Sequence, residues 1–282
     1  MASLASRLGR IAYLTACGLV FVFLLAPLLV IVPLSFNAEP YFTFTEGMLR
    51  LDAEAFSFRW YRQVATDPVW RRALANSLLI GTAATLLATA LGTLAAMGLT
   101  SRAMPARRLA TGLLISPMVA PLVISAAGMF FFYSALGLAQ THLGLILAHA
   151  ALGTPFVVIT VTATLSAFDS NLSRAAAGLG AGPWLSFRRV ELPIIAPGVV
   201  SGALFAFAVS FDEVVVVLFM AGEAQRTIPR QMWAGVREQI SPAILAVATF
   251  LIGFAVLLLW TVEWLRRRTR ASAGYQPYAP AR

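Results

Sequence analysis

Residues 174–193 read Arg174-Ala175-Ala176-Ala177-Gly178-Leu179-Gly180-Ala181-Gly182-Pro183-Trp184-Leu185-Ser186-Phe187-Arg188-Arg189-Val190-Glu191-Leu192-Pro193. Long apolar segments lie on both sides, so this is a loop between membrane spans. It opens as a short alanine-rich helix, expected over 174–183, and breaks at its glycines. It then carries Arg188 and Arg189 and re-enters an apolar run through Pro193 and Pro197. A helix–glycine–helix unit kept in the loop of a membrane protein points to a docking partner. The plainer reading is an amphipathic cytoplasmic helix without one.

The composition around this loop is that of a membrane protein. Hydrophobic residues make up 59% of the 282 and charged residues 12%, and the mean hydropathy is +0.81. A span needs about 20 mostly apolar residues, because the hydrocarbon core is roughly 30 Å thick. Six stretches qualify: about 11–36, 74–99, 109–135, 144–167, 194–220 and 243–264. The expected fold is therefore all-α and polytopic, a single transmembrane domain over 1–282 with six helices. The first apolar run is too long for a signal-peptide core and is read as a retained span.

Arginine sets the orientation. With the N-terminus in the cytoplasm, that side holds Arg7, Arg10, Arg102, Arg107, Arg108, Arg174, Arg188, Arg189, Arg266, Arg267, Arg268, Arg270 and Arg282, against Asp169, Glu191 and Glu263. Charges on the other side nearly balance. The positive-inside bias thus predicts cytoplasmic termini and a cytoplasmic 168–193 loop. This basic balance serves topology, not nucleic acid. The chain has no lysine, which excludes a P-loop and Schiff-base chemistry. Cys17 is alone, so neither a disulfide framework nor a thiolate metal site is available.

Several polar or broken positions stand out along the spans. Small residues Gly81, Ala84, Ala88, Gly92 and Ala96 allow close helix approach after Asn76-Ser77. Pro117 and Pro121 interrupt the third span, as tolerated where a helix lines a cavity. His149 has no partner at helical spacing and reads as a hydrogen-bonded structural group; His142, in a short outer loop, carries no signal. Aromatic residues in 37–73 read as interfacial anchors on short helices. Pro229 and Ser241-Pro242 suggest a short outer helix before the last span. The tail beyond Arg266 reads as a basic stop.

Two carboxylates lie well inside an apolar run, in Ser210-Phe211-Asp212-Glu213-Val214. Each costs at least about 2.5–3.5 kcal/mol at such a depth, so each must face a watery cavity or a partner. Asp212 lies about 22 Å along the helix from Pro197, in the outer half of the membrane. Neighbouring residues point about 100° apart, so one acid can face a cavity and the other a neighbouring helix. Pairing with Arg226, Arg230 or Arg237 is the structural alternative. Two isolated histidines offer no catalytic set, and no metal-ligand cluster is apparent.

The 174–193 loop resembles the coupling loop of ABC-importer permeases: Glu-Ala-Ala, three residues, Gly, nine residues, an aliphatic residue, any residue, Leu-Pro. The pattern falls on Arg174, Ala175, Ala176, Gly180, Val190, Leu192 and Pro193 with every spacing kept. Arg174 stands where the family usually has Glu. Ser210-Phe211-Asp212-Glu213, the Arg226–Pro242 region and span two from Asn76 resemble the spermidine/putrescine branch. That branch often carries an acid at the position of Leu122. The resemblance implies the type I importer permease fold in a bacterial inner membrane. It also implies a cytosolic ATPase dimer, a second homologous permease and a periplasmic solute-binding protein. No cofactor is expected in this chain, ATP and Mg belonging to the ATPase. Asp212, Glu213 and Ser210 are the expected substrate pathway, for polyamines or another small amine or amino acid. An ion-coupled secondary transporter could use the same acids as proton sites, but it would leave the coupling loop unexplained, and no internal repeat is found.

Overall fold

In hydrocarbon, backbone polar groups find partners only within the chain, and the long apolar runs form helices for that reason. The computed structural model describes residues 4–101, 103–238 and 241–272. Arg102, Arg282 and the tail beyond Ser272 lie outside the described residues. The helices are α1 (Leu4–Leu34), α2 (Glu46–Leu49), α3 (Arg59–Thr66), α4 (Pro68–Thr100), α5 (Arg107–Val119), α6 (Leu122–Ala135), α7 (His142–Ser166), α8 (Ser170–Gly178), α9 (Pro183–Ser186), α10 (Leu192–Asp212), α11 (Val215–Met220), α12 (Ile228–Glu238) and α13 (Ala243–Ser272). A π-helical turn, Phe187–Glu191, joins α9 to α10. Among the described residues there is no strand, only an isolated bridge between Asn37 and Phe56.

Among the described residues five helical stretches are long and apolar enough to cross a membrane: Gly9–Leu34, Pro68–Thr100, His142–Ser166, Pro183–Asp212 and Ala243–Thr261. The third expected span is a bent pair, α5 and α6, meeting at 103°. Pro117 is accommodated inside α5, and the break falls at Ala120–Pro121. Proline crowds the residue before it out of the helical region, and Ala120 is extended at φ −66°, ψ 140°. The halves have 13 and 14 residues, too short to cross singly, since a crossing takes about 20 residues. The fifth expected span, 194–220, is also divided. Glu213 is extended, and α11 starts afresh at Val215.

By its contacts the chain forms two compact units, residues 1–68 with 234–258, and residues 69–233 with 259–282. In the first, Trp60 packs with Ala243 and Ala246, and its indole N–H donates to the Asn37 carbonyl at 2.7 Å. Asn37 is fully buried and donates to the carbonyls of Tyr41 and Thr43. Trp60 is therefore core, not an interfacial anchor, whereas Tyr41 and Phe58 stay exposed.

In the second unit α7 is the central helix. Its most apolar window is 61% buried, against 6% for α1. The α10 helix lies along α7 at a distance that only glycine permits. A Cβ on Gly202 would stand 2.5 Å from the Thr160 hydroxyl and 2.8 Å from the Val157 Cα. Phe156 and Phe205 stack across the same interface, with ring centroids 6.3 Å apart. Helices in lipid associate through such van der Waals fit, since lipid tails are as apolar as the side chains. Gly202→Val should therefore lower the melting temperature of the purified protein, at an overpacking cost of about 1–3 kcal/mol. Gly98→Ala, where no atom lies within 4 Å, should melt like wild type. Equal melting of both variants would show that α7 and α10 do not meet this way.

Candidate functional site

The loop helix α8 is placed earlier than the sequence suggested. It runs over Ser170–Gly178 and is capped by the Asp169 carboxylate, which accepts from the Asn171 N–H at 2.9 Å. Asp169 is a better helix start than Arg174, because its side chain satisfies an otherwise free backbone donor. At the far end the Gly180 N–H donates to the Ala177 carbonyl at 2.9 Å, and the Ala181 N–H to the Ala176 carbonyl at 3.0 Å. This paired pattern is a Schellman motif, with Gly180 in the left-handed conformation at φ 85°. No atom lies within 4 Å of where its Cβ would be. The glycine is there for its backbone angle, not for close approach.

Beyond the turn, Leu179 is 91% exposed and Trp184 71%. Arg174, Arg188 and Arg189 are also exposed. Ala175 and Ala176 lie on α8, and Val190 with Leu192 and Pro193 at the junction of the π-turn and α10. The Ser173 hydroxyl donates to Glu191 at 2.8 Å and fastens α8 to the start of α10. A segment with exposed apolar side chains is thus tied to the start of α10.

The opposite end of α10 carries the acids. Asp212 is its last residue and is exposed, whereas Glu213 is 7% exposed. The Glu213 carboxylate accepts the Val216 N–H at 2.8 Å, satisfying one free donor in the first turn of α11. Asp212 and Glu213, with Leu122, Ala208, Val209, Val214 and Val215, line an open recess of about 440 Å³. Buried under α11, Val216, Val217 and Met220 pack against Ile80, Ala126, Leu145, Ala148 and Leu152. Ser210 does not join the recess lining; its hydroxyl is 2.8 Å from Nδ1 of His149 in the α7–α10 interface. His149, 1% exposed, is thus hydrogen-bonded, although its Nε2 has no partner among the described residues.

Arg226 and Arg230, two of the arginines considered as partners for the acids, are engaged elsewhere. Arg226 pairs with Glu223 and donates to Gln231 at 2.9 Å. Arg230 reaches Glu223 at 3.9 Å and donates to the carbonyls of Ala221 and Gly222. The hydrogen bond and charge of Arg226 hold the Glu223 carboxyl below its ordinary range. Among the described residues no arginine pairs with Asp212 or Glu213.

His142, which carried no signal in the sequence, belongs to a polar hub. Its Nε2 is 3.1 Å from the Asn76 amide oxygen. The Asn76 amide nitrogen donates to the carbonyls of Ala224 and Arg226, and Ser77 accepts the Ile228 N–H. Asn76-Ser77 near the start of a span was the available clue; its partners lie some 150 residues away. Among the described residues no group of three or more His, Cys, Asp or Glu could hold a metal ion.

The turn at Gly180 is open to a direct check. Gly180→Val forces a side chain into the left-handed region at about 1–2 kcal/mol. Hydrogen exchange of the 180 and 181 amides should then accelerate about tenfold, since about 1.4 kcal/mol is tenfold in an equilibrium. Gly180→Asn, whose side chain tolerates this region, should change much less. Unaltered protection in the valine variant would dismiss the glycine turn.

Similarity to known proteins agrees with this arrangement. The chain is 29% identical over 249 residues to the spermidine/putrescine transport system permease protein PotC of Haemophilus influenzae, covering 88% of this chain and 94% of that protein. It is 32% identical over 252 residues to the putrescine transport system permease protein PotI of Escherichia coli, covering 86% of each. Its fold matches a chain of a bacterial ABC transporter involved in the import of the acidic polysaccharide alginate, with a TM-score of 0.73 at 15% identity, over 93% of this chain and 98% of that one. Residues 1–271 match the family of binding-protein-dependent transport system inner membrane components. The chain belongs to that family and is a permease subunit of an ABC importer, a transport component and not an enzyme.

Proposed function

We propose that this permease carries a small cationic amine, of the putrescine and spermidine class, from a periplasmic binding protein to the cytoplasm. The carrying observation is that Asp212 and Glu213 line one recess at the α10–α11 break and, among the described residues, pair with no arginine. Carboxylates at that depth in an apolar span attract a cation strongly, because low-dielectric walls weaken screening. The rest of the lining is aliphatic, which suits the methylene chain of an alkylamine. Similarity to PotC and PotI supports the same substrate class. Leu122 favours a second reading, a shorter or singly charged amine, because it leaves Asp212 as the one exposed carboxylate of a largely aliphatic lining.

In this reading the two acids have different duties. Asp212 meets the substrate, and Glu213 holds the start of α11. The face formed by Arg174, Ala175, Ala176, Gly180 and Trp184 docks a cytosolic ATPase, which supplies the ATP and Mg chemistry. A second, homologous permease completes the pathway. ATP-driven closure of the ATPase dimer shifts the population between inward- and outward-open states.

Asp212→Asn should lower uptake of labelled putrescine or spermidine at least tenfold with complex yield unchanged. Glu213→Gln, which keeps an acceptor for the Val216 N–H, should preserve yield, while Glu213→Ala should lower it at a cost of about 1 kcal/mol. Wild-type uptake in Asp212→Asn would remove its role. Uptake of a monoamine but no polyamine would select the second reading. Topology has its own check. Reporter fusions at 50, 138 and 230 should lie outside, and fusions at 104, 182 and 275 inside. If 138 and 182 exchanged sides, α5 and α6 would be a re-entrant loop and the ATPase could not reach α8.

A further inference from the structure

We infer that the docking surface on the ATPase is a carboxylate-rimmed apolar groove, so that the contact depends on arginine on this chain and acid on its partner. This rests on the docking reading above and specifies the partner's chemistry. On the face that begins with α8, the most prominent apolar groups are Leu179 and Trp184. Trp184 leans on Phe187, with ring centroids 5.7 Å apart, which stiffens it as an anchor. The same segment carries Arg174, Arg188 and Arg189, all exposed. Arg188 and Arg189 have no hydrogen-bond or ion-pair partner among the described residues. Arg174 has only a long contact, 3.4 Å, to the Ser170 hydroxyl.

Both carboxylates of the segment are already engaged. Asp169 caps α8, and Glu191 accepts from Ser173. The segment therefore presents three exposed guanidinium groups with no acidic partner among the described residues, against two carboxylates whose oxygens are held by neutral donors. A partner without acids there would have to bury or crowd guanidinium groups with no counter-charge, whereas acids at matching positions would speed encounter and exclude wrong partners. Arginine suits such a rim, since its planar fork binds a carboxylate with two parallel hydrogen bonds. A division follows in which Trp184 and Leu179 supply affinity at the centre and the arginines supply attraction and selectivity at the edge.

The test uses the assembled permease in nanodiscs and the ATPase subunit that co-purifies with it, recombined at salt concentrations from 50 to 500 mM. Wild-type affinity should fall about tenfold across that range, as rim charges are screened. Arg174→Glu and the double variant Arg188→Glu/Arg189→Glu should each bind about tenfold more weakly at low salt, with a flattened salt dependence. Arg174→Gln should lie between, which guards against a folding defect in the reversed-charge variants. Trp184→Ala should weaken binding at every salt concentration without changing the slope.

If the arginine variants keep wild-type affinity and slope while Trp184→Ala weakens binding, the acidic rim is overturned and the docking reading stands. If Trp184→Ala and the arginine variants all bind as wild type, the docking reading itself falls. Nanodiscs without anionic lipid separate the remaining source of attraction. Loss of the arginine effect there would assign these side chains to lipid headgroups and overturn the inference, and persistence would support it.

Discussion

The close contact of α10 with α7 is the constraint on which the rest depends. At Gly202 the helices approach until any side chain would collide with Thr160 and Val157. Gly153 meets Ala206 in the same way, from α7 toward α10. Two helices fitted so tightly have few ways to slide, because packed interfaces favour discrete arrangements over continuous deformation. At one end of α10 the bond from Ser173 to Glu191 fastens α8; at the other the backbone breaks beside Asp212. About 30 Å of helix, at the standard rise, separates a prospective partner surface from two carboxylates.

The break after Asp212 resolves an electrostatic difficulty. Two adjacent carboxylates in one continuous apolar helix would each need water or a counter-charge. Ending the helix supplies a third solution for Glu213. The start of α11 leaves backbone N–H groups free, and the Glu213 carboxylate takes one of them. The positive end of the short helix favours the same charge. Asp212, still on α10, keeps access to the recess. The neighbouring arginines are not required, and Arg226 and Arg230 secure the loop after α11 through Glu223 instead.

Much of this was legible in the sequence because it rests on local rules. Apolar length gave the spans, proline and glycine gave the punctuation, and the loop spacing from Arg174 to Pro193 led to the family. What was misread or not foreseen depends on contacts distant in sequence or on backbone geometry. The start of α8 at Ser170 is a capping choice, set by Asp169 upstream of the alanine run. Composition could not tell Trp60, which is core, from Phe58, which is exposed, in one aromatic segment. Ser210 and His149 find each other only because α10 lies on α7, and His142 meets Asn76 across 66 residues.

The two broken helices meet at the same recess, and that coincidence has a physical reason. Leu122 opens α6 immediately after the Pro121 break, and Asp212 to Val215 form the break between α10 and α11; both contribute to one lining. Each break frees backbone groups that hydrocarbon cannot satisfy, so both are stable only beside a space that water can enter or a side chain that substitutes for it. Placing them together lets one wet space serve both. Leu122 of α6 and the acids at the end of α10 then border the same space, with Ala208, Val209, Val214 and Val215 as its aliphatic remainder. For the cationic amine proposed above, one exposed carboxylate with a second committed to the backbone would give an attraction strong enough to draw the substrate in and weak enough to release it.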